Sequence, residues 1–205
     1  MVIFRPDHNL SFVRFIVVIY LYTIWSISSI HAQEPHDRLV IKDLHHQYQS
    51  ENDLEKLVYI VDDICLYYQI KDYKVDSVIY YANQLLRMSE NENFLIASIV
   101  GHRRLGSQYR RNNKFILAKY HLYKSLSLAN QLDYKKYIHD VYASIGYVYY
   151  KESQLDSALY YFNRCLRETP DNKYSKLSAF HNGLSAVYGQ LGRIDKEEEH
   201  LLKAY

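Results

Sequence analysis

The chain has 205 residues, a formal net charge of +2 and 23% charged side chains, an ordinary balance for a globular protein. Its Lys and Arg residues form no dense block, which argues against a nucleic-acid interface, because such an interface needs a clustered basic face. Gly occurs six times and Pro three times, and neither clusters. We therefore expect no flexible linker and a chain that is mostly helical.

The N-terminal segment differs in character from the rest of the chain. Arg5 and Arg14 precede the apolar run FIVVIYLYTIW at positions 15–25, and the small residue Ala32 follows. This order is typical of a secretory signal peptide that is cleaved after Ala32. The charge-free stretch at positions 15–30 is shorter than the roughly 20 residues that span a bilayer. We expect an exported, periplasmic protein, and the alternative is an uncleaved membrane anchor with the chain facing the periplasm.

Two distant stretches of the chain resemble each other closely. DSVIYYANQLL occupies positions 76–86, DSALYYFNRCL occupies positions 156–166, and ILAKYHLYKSL lies midway between them at 116–126. The three copies align in one tyrosine and in the final leucine. A second signature precedes each copy and ends in a tyrosine at a similar interval: Tyr68, Tyr109, Tyr149 and Tyr188. The sequence therefore predicts four repeats of about 40 residues.

Each repeat is expected to consist of two helices joined by a short polar turn. In the third repeat, the polar segment KESQ at 151–154 separates two apolar patterns, and Ser153 is a candidate N-terminal cap for the second helix. Pro170 would end that second helix, because proline does not continue a helix easily. Apolar residues of the first helix recur every four positions, which is the spacing of one helix face: Val141, Ile145 and Tyr149.

A small residue after an apolar one, then a tyrosine, an alanine, an aromatic residue and a proline follow one another at fixed spacing in the third repeat: Ile145, Gly146, Tyr149, Ala158, Phe162 and Pro170. This pattern resembles the tetratricopeptide repeat family. The second repeat has Leu122 for the aromatic residue, and the fourth has Glu197 for the alanine. The period exceeds the family's usual length of about 34 residues, as in extended bacterial arrays. The resemblance implies an all-α fold, an α-solenoid of antiparallel helix pairs.

The domain organisation follows from these segments. We expect a signal peptide, then a linker or capping helix, then the repeat array, with these bounds: 1–32, 33–52 and 53–205. The last repeat is expected to be incomplete, because the chain stops within its second helix. The predicted repeats are 53–94, 95–134, 135–173 and 174–205.

The sequence offers no candidate catalytic, cofactor or metal site. Cys65 and Cys165 fall in the first and third repeats, too far apart for a disulfide, and are expected to be buried free thiols. The ten histidines include no His-x-x-x-His pair and no HExxH motif. A Gly-rich phosphate loop and a nucleophile elbow within a strand-turn-helix are also missing. We expect a protein that is not an enzyme.

The tetratricopeptide resemblance implies that the first helices line a concave groove that holds a peptide or a partner's helix. An arginine grips a carboxylate with two parallel hydrogen bonds, so the expected ligand carries an acidic group. Asp62 and Asp63 lie one repeat before Arg103 and Arg104, and ion pairing between neighbouring helices is the alternative use of these charges. The predicted groove residues are Arg103, Arg104, Ser107, Arg110, Arg111, Tyr147, Tyr150 and Asn182.

The function expected from the sequence is an exported, non-enzymatic scaffold that binds a protein or peptide. The alternative is the N-terminal sensory region of a bacterial signal-transduction regulator. In that case a histidine-kinase or helix-turn-helix output would follow the repeat array.

Overall fold

The computed structural model describes residues 37–168 and 174–204, which are helices and the turns between them, with no strand in these ranges. The predicted signal peptide and Pro170 lie outside the described residues. Residues 37–50 form helix α1, and its first part, up to residue 46, belongs to a separate compact unit. The rest of the described chain, from residue 47 to residue 204, forms the second unit.

The second unit contains four antiparallel helix pairs, which confirms the predicted all-α solenoid fold. In each pair, a turn of three or four residues joins a first helix to a second helix. We number the pairs 1 to 4 in chain order. Their helices are α2 (Leu54–Ile70) and α3 (Val75–Glu92), α4 (Leu95–Arg111) and α5 (Phe115–Gln131), α6 (Ile138–Lys151) and α7 (Leu155–Glu168), and α8 (Tyr174–Gln190) and α9 (Ile194–Ala204).

The turn inside each pair places one residue in the left-handed backbone conformation, and these residues follow one another at the interval of the repeat: Tyr73, Asn113, Ser153 and Gly192. In pairs 2 to 4, the next amide donates a hydrogen bond of 2.9–3.0 Å to the carbonyl of the repeated tyrosine. This is the Schellman ending of a helix. Ser153 therefore ends α6, and the prediction that it caps α7 is wrong. Gln154 is the residue that directly precedes α7.

Glycines let the two helices of a pair approach each other closely. A Cβ atom at Gly106 would lie 2.6 Å from Leu122, and one at Gly146 would lie 3.2 Å from the ring of Phe162. Leu122 and Phe162 are fully buried, so a residue of the second helix fills the space that each glycine leaves. The sequence pattern of small and large residues is thus the packing pattern of pairs 2 and 3.

Pair 4 is built differently at the same position. Gly189 faces the carboxylate of Glu197, and a Cβ atom at position 189 would lie 2.8 Å from its Oε1. Helix α9 has no buried side chain in its described range. Helix α9, in which Glu197 takes the place of the expected alanine, is thus less buried than the second helices of the other pairs.

The curvature of the stack follows from which helices touch. Neighbouring pairs contact each other through α3–α4, α5–α6 and α7–α8, and also through successive first helices, α2–α4, α4–α6 and α6–α8. Within the described ranges, successive second helices make no such contacts. Because the first helices are closer together than the second helices, the stack curves with the first helices on its inner side. We call this side the inner face.

Candidate functional site on the inner face

Asp62 of α2 is the centre of a buried ion cluster. Nη2 of Arg103 lies 2.5 and 2.6 Å from the two carboxylate oxygens, and Nε of Arg104 also donates to Oδ1. The side chains of Arg103, Arg104 and Asp62 are all buried. Burial by itself raises the pKa of Asp62, but the two guanidinium charges outweigh burial and bring that pKa below its ordinary value. The carboxylate that Arg103 and Arg104 bind is therefore supplied by the chain itself.

The connection between α5 and α6, residues 132–137, covers this cluster. The ring of Tyr137 stacks on Arg103, with 4.3 Å between the ring centroid and the guanidinium carbon. Nζ of Lys136 lies 3.5 Å from the ring centroid of Tyr59 in α2. The hydroxyl groups of Tyr59 and Tyr134 are 3.4 Å apart. The connection between pairs 2 and 3 thus reaches back to pair 1, and it covers Arg103, one of the predicted groove residues.

Arg110, in the last turn of α4, is half-buried and differs from Arg103 and Arg104 because no carboxylate of the described residues pairs with it. Its guanidinium carbon lies 5.2 Å from the ring centroid of Tyr147 in α6. Its Nε atom is buried and makes no hydrogen bond, and no ion pair to it occurs among the described residues. Burial lowers the pKa of Arg110. The structure therefore brings together a half-buried cation with unused donors and an aromatic ring.

Two of the predicted groove residues connect neighbouring first helices. The hydroxyl groups of Ser107 in α4 and Ser144 in α6 are 3.3 Å apart. The Tyr147 hydroxyl donates a hydrogen bond of 3.2 Å to the carbonyl of Ala179 in α8. Its ring also packs edge-on against Phe162, with 4.9 Å between the centroids. Ser107 and Tyr147 thus hold the inner face together.

The remaining predicted residues lie nearer to solvent. Arg111 and Asn182 are exposed, and Tyr150 is half-buried, with Nζ of Lys151 5.9 Å from its ring centroid. Within the described part of the chain, no hydrogen bond or ion pair joins these three to another predicted groove residue. Arg110 and Tyr147 are therefore the predicted residues that the structure assembles into a local site.

Arg111 lines a cavity of about 190 Å³ that the sequence analysis missed. Gln69 of α2 and Gln108 of α4 meet there, with 3.4 Å between the two side-chain amides, and Gln108 also donates to Asn112 at 3.2 Å. In the sequence, each glutamine is adjacent to the repeated tyrosine of its pair, Tyr68 or Tyr109. This repeated position is a signal from which the contact between Gln69 and Gln108 could have been predicted. The full lining is Tyr68, Gln69, Tyr73, Val75, Gln108, Arg111 and Asn112.

The two cysteines are buried free thiols, as predicted. Cys65 Sγ lies 3.8 Å from the carbonyl of Val78, and Cys165 Sγ lies 3.0 Å from the carbonyl of His139. Burial raises the pKa of Cys65 to about 12, so this thiol is a poor nucleophile at neutral pH. In the described ranges, no group of three metal-binding side chains comes together, and no helix has the length and apolar character to cross a membrane.

No protein-family model and no curated protein matches the chain. A solved structure with a similar fold is BtubC (BKLC) from P. vanneervenii, with a TM-score of 0.63 and 19% sequence identity. The match covers 84% of this chain and 73% of the BtubC chain. The chain has a helical repeat fold. At this identity the likeness concerns the fold alone, and the tetratricopeptide type stays a prediction.

Proposed function

We propose that the chain is an exported, non-enzymatic scaffold of the tetratricopeptide type, which binds a protein or peptide on its inner face. The repeat period of about 40 residues and the contact between Gly146 and Phe162 support the tetratricopeptide type. The fully buried Ala158 adds to this support, because the pattern asks for a small residue there.

Arg110 is the observation that carries the binding proposal. A half-buried guanidinium group without a carboxylate is unfavourable, because its lost hydration is not replaced. An acidic group of a ligand would supply the missing acceptor and the missing charge. Arg111 adds a second positive charge beside it, and Tyr147 offers an aromatic surface. The acidic group of the ligand is therefore assigned to the end of α4, away from Arg103 and Arg104.

A peptide-display library selected on the full chain tests this assignment. We expect the selected peptides to carry Asp, Glu or a free C-terminal carboxylate. Arg110→Gln should weaken the binding of a selected peptide about 10- to 100-fold, which is the value of a charge-assisted hydrogen-bond pair. Arg193→Gln is the matched control, since it removes the same charge from the exposed turn of pair 4. Equal binding by Arg110→Gln and wild type, with unchanged helicity, would refute the assignment.

Export has a separate test. Mass spectrometry of the mature protein should find an N-terminus at Gln33, directly after the proposed cleavage site. A protein that retains its first residue and sediments with membranes would favour the anchored form. Neither result depends on the ligand, so the two parts of the proposal are tested independently.

A further inference from the structure

Pairs 2 and 4 each hold two histidines face to face between their first and second helices. Nδ1 of His102 in α4 lies 2.9 Å from Nδ1 of His121 in α5. Nδ1 of His181 in α8 lies 2.9 Å from Nδ1 of His200 in α9. Both histidines of the second site follow those of the first by the same interval, which is just under two repeats. The same side-chain contact therefore occurs twice in the array, in alternate pairs.

The repeated tyrosine completes each histidine site. Tyr109 stacks on His121 with 5.4 Å between the ring centroids, and Tyr188 stacks on His200 at the same distance. All four histidines are half-buried. Each histidine pair is thus enclosed by the two helices of its own pair and by a tyrosine ring.

Tyrosines take the place of the second-helix histidines, His121 and His200, in the odd-numbered pairs. Tyr81 of α3 stacks on Tyr68 with 6.2 Å between the centroids, and Tyr161 of α7 stacks on Tyr149 at 5.5 Å. In pair 3, Tyr142 also occupies the position of His102 and His181. The second-helix position therefore alternates along the array between a histidine, which can take up a proton in acid, and a tyrosine, which does not.

The geometry of the histidine pairs is that of a shared proton. The ring centroids lie 5.1 and 5.2 Å apart in the two sites, so the Nδ1 atoms point at each other and not toward a common third point. At neutral pH one imidazole donates its Nδ1–H and the other accepts. A first added proton at Nε2 of the donating ring makes that ring a cation and leaves the hydrogen bond between the Nδ1 atoms in place. A second added proton, at Nδ1 of the accepting ring, removes the hydrogen bond and makes two cations face each other.

The surrounding charges do not offset this repulsion in pair 2. The charged side chain that acts on His102 is Lys124 of α5, and no charged group of α3 or α6 in the described ranges acts on either histidine. Burial, with His121 and Lys124 adding to it, lowers the pKa of His102 to about 4. Burial also lowers the pKa of His121.

Among the described side chains, the charges that act on the second site are those of α9, and no charged group of the described part of α7 acts on it. Lys196 and Lys203 oppose protonation there, while Glu199 favours it, and burial lowers the pKa values of both histidines. A histidine with a depressed folded-state pKa contributes stability above its unfolded pKa. That contribution is lost as the pH falls from about 6.5 toward the folded-state value.

We propose that the two histidine pairs are an acid-sensitive latch. Entry of a second proton into each histidine pair separates α4 from α5 and α8 from α9, while pairs 1 and 3 stay closed because they have no histidine at these positions. The array then changes from four closed helix pairs to two closed and two opened ones. This inference is independent of the ligand proposed above.

The test compares the full wild-type chain with a variant in which His102, His121, His181 and His200 are all replaced by tyrosine. This variant gives pairs 2 and 4 the arrangement already present in pair 3. Urea unfolding of both proteins is measured at about pH 7 and about pH 4.5. We expect the unfolding equilibrium constant to rise more for the wild type than for the variant on acidification, with His102 alone contributing on the order of 50-fold.

Two outcomes would overturn the latch. One is an equal loss of stability in both proteins on acidification. The other concerns the hydrogen exchange of backbone amides at about pH 4.5, corrected for its intrinsic pH dependence. An increase in α3 or α7 that is as large as the increase in α5 or α9 would show that opening is not confined to the histidine pairs. If the tyrosine variant does not fold, replacement of the same four histidines by glutamine gives the same comparison, because glutamine hydrogen bonds without titrating.

Discussion

Gly183 of α8 lies directly against the ring of Phe162 in α7, and a Cβ atom at position 183 would come within 2.6 Å of a ring carbon. Phe162 is fully buried, and Gly146 of its own pair faces the same ring at 3.2 Å. One aromatic side chain thus fills the space within pair 3 and the space between pairs 3 and 4. The approach of α8 to α7 depends on the missing side chain at position 183.

Gly183→Ala should therefore destabilise the array. The added methyl group overlaps a fully buried ring, and overpacking of this kind costs about 1–3 kcal/mol. Gly146→Ala is the matched control, because the new methyl group meets the same ring at 3.2 Å instead of 2.6 Å. Both changes gain the same helix propensity, which favours alanine. Urea unfolding should rank Gly183→Ala below Gly146→Ala in stability, and the reverse order would contradict this packing.

Tyr73→Gly should stabilise the first pair. Tyr73 has a φ of 52°, a conformation that costs a bulky residue about 1–2 kcal/mol, and its side chain is 70% exposed. After the entropy that glycine adds to the unfolded chain, a net gain of about 0.5–1 kcal/mol is expected. Tyr80→Gly, at a 56% exposed position inside α3, should destabilise the protein instead. Thermal unfolding of the two variants should shift in opposite directions, and a shared direction would argue against backbone strain at Tyr73.

Asp62→Ala should be strongly destabilising, because it removes the carboxylate that binds Arg104 and leaves Arg103 with the more distant carboxylate of Asp140, 3.8 Å from its Nη1. Breaking a buried ion cluster in this way costs about 3–5 kcal/mol. The neighbouring Asp63→Ala removes the same charge from an exposed position and should leave the free energy of unfolding nearly unchanged. Similar losses in the two variants would show that the cluster has no special role.

The same cluster predicts a pH dependence that is distinct from that of the histidines. The pKa of Asp62 is depressed in the folded chain, so its stabilising contribution is present above the unfolded value of about 3.9 and is lost below it. The free energies of unfolding of wild type and Asp62→Asn, measured by urea unfolding as a function of pH, should therefore converge as the pH falls below about 4. Between about pH 4 and 6.5 they should run parallel.

Tyr123→Phe should loosen the contact between pairs 2 and 3. The Tyr123 hydroxyl lies 2.9 Å from the hydroxyls of both Tyr149 and Tyr161, so its loss leaves two half-buried partners without this group. The expected cost is about 1–2 kcal/mol in urea unfolding. Tyr120→Phe deletes a hydroxyl from an exposed ring of the same helix and should be neutral. A neutral Tyr123→Phe would mean that water replaces the missing hydroxyl at no cost.

The repeat architecture could be read from the sequence because its signals are local. Apolar residues four apart mark the helices, and the tyrosines at 68, 109, 149 and 188 mark the ends of the first helices. The turns were harder to assign, because four different types of residue take the same left-handed backbone conformation there: Tyr73, Asn113, Ser153 and Gly192. Ser153 resembled a helix cap because serine favours that role, and the Schellman geometry overrides this preference.

The burial of predicted groove residues was harder to predict, because it depends on contacts between distant parts of the chain. Nothing near Arg103 in the sequence indicates that Tyr137 lies over it, or that Tyr134 reaches Tyr59. The histidine pairs did leave a signal, because the spacing between their two members is the same in both sites and the second site follows the first by nearly two repeats. This spacing matches no metal-binding motif, although antiparallel helices bring such residues together.

The α5–α6 connection has a mechanical consequence. A stack in which each repeat touches only its neighbours comes apart one repeat at a time when its ends are pulled. Here the contacts of Tyr134 and Lys136 with Tyr59 tie the connection that leads into pair 3 to pair 1, across pair 2. Under stretching force, pair 4 should peel away at low load. The first three pairs should then rupture together in one larger step.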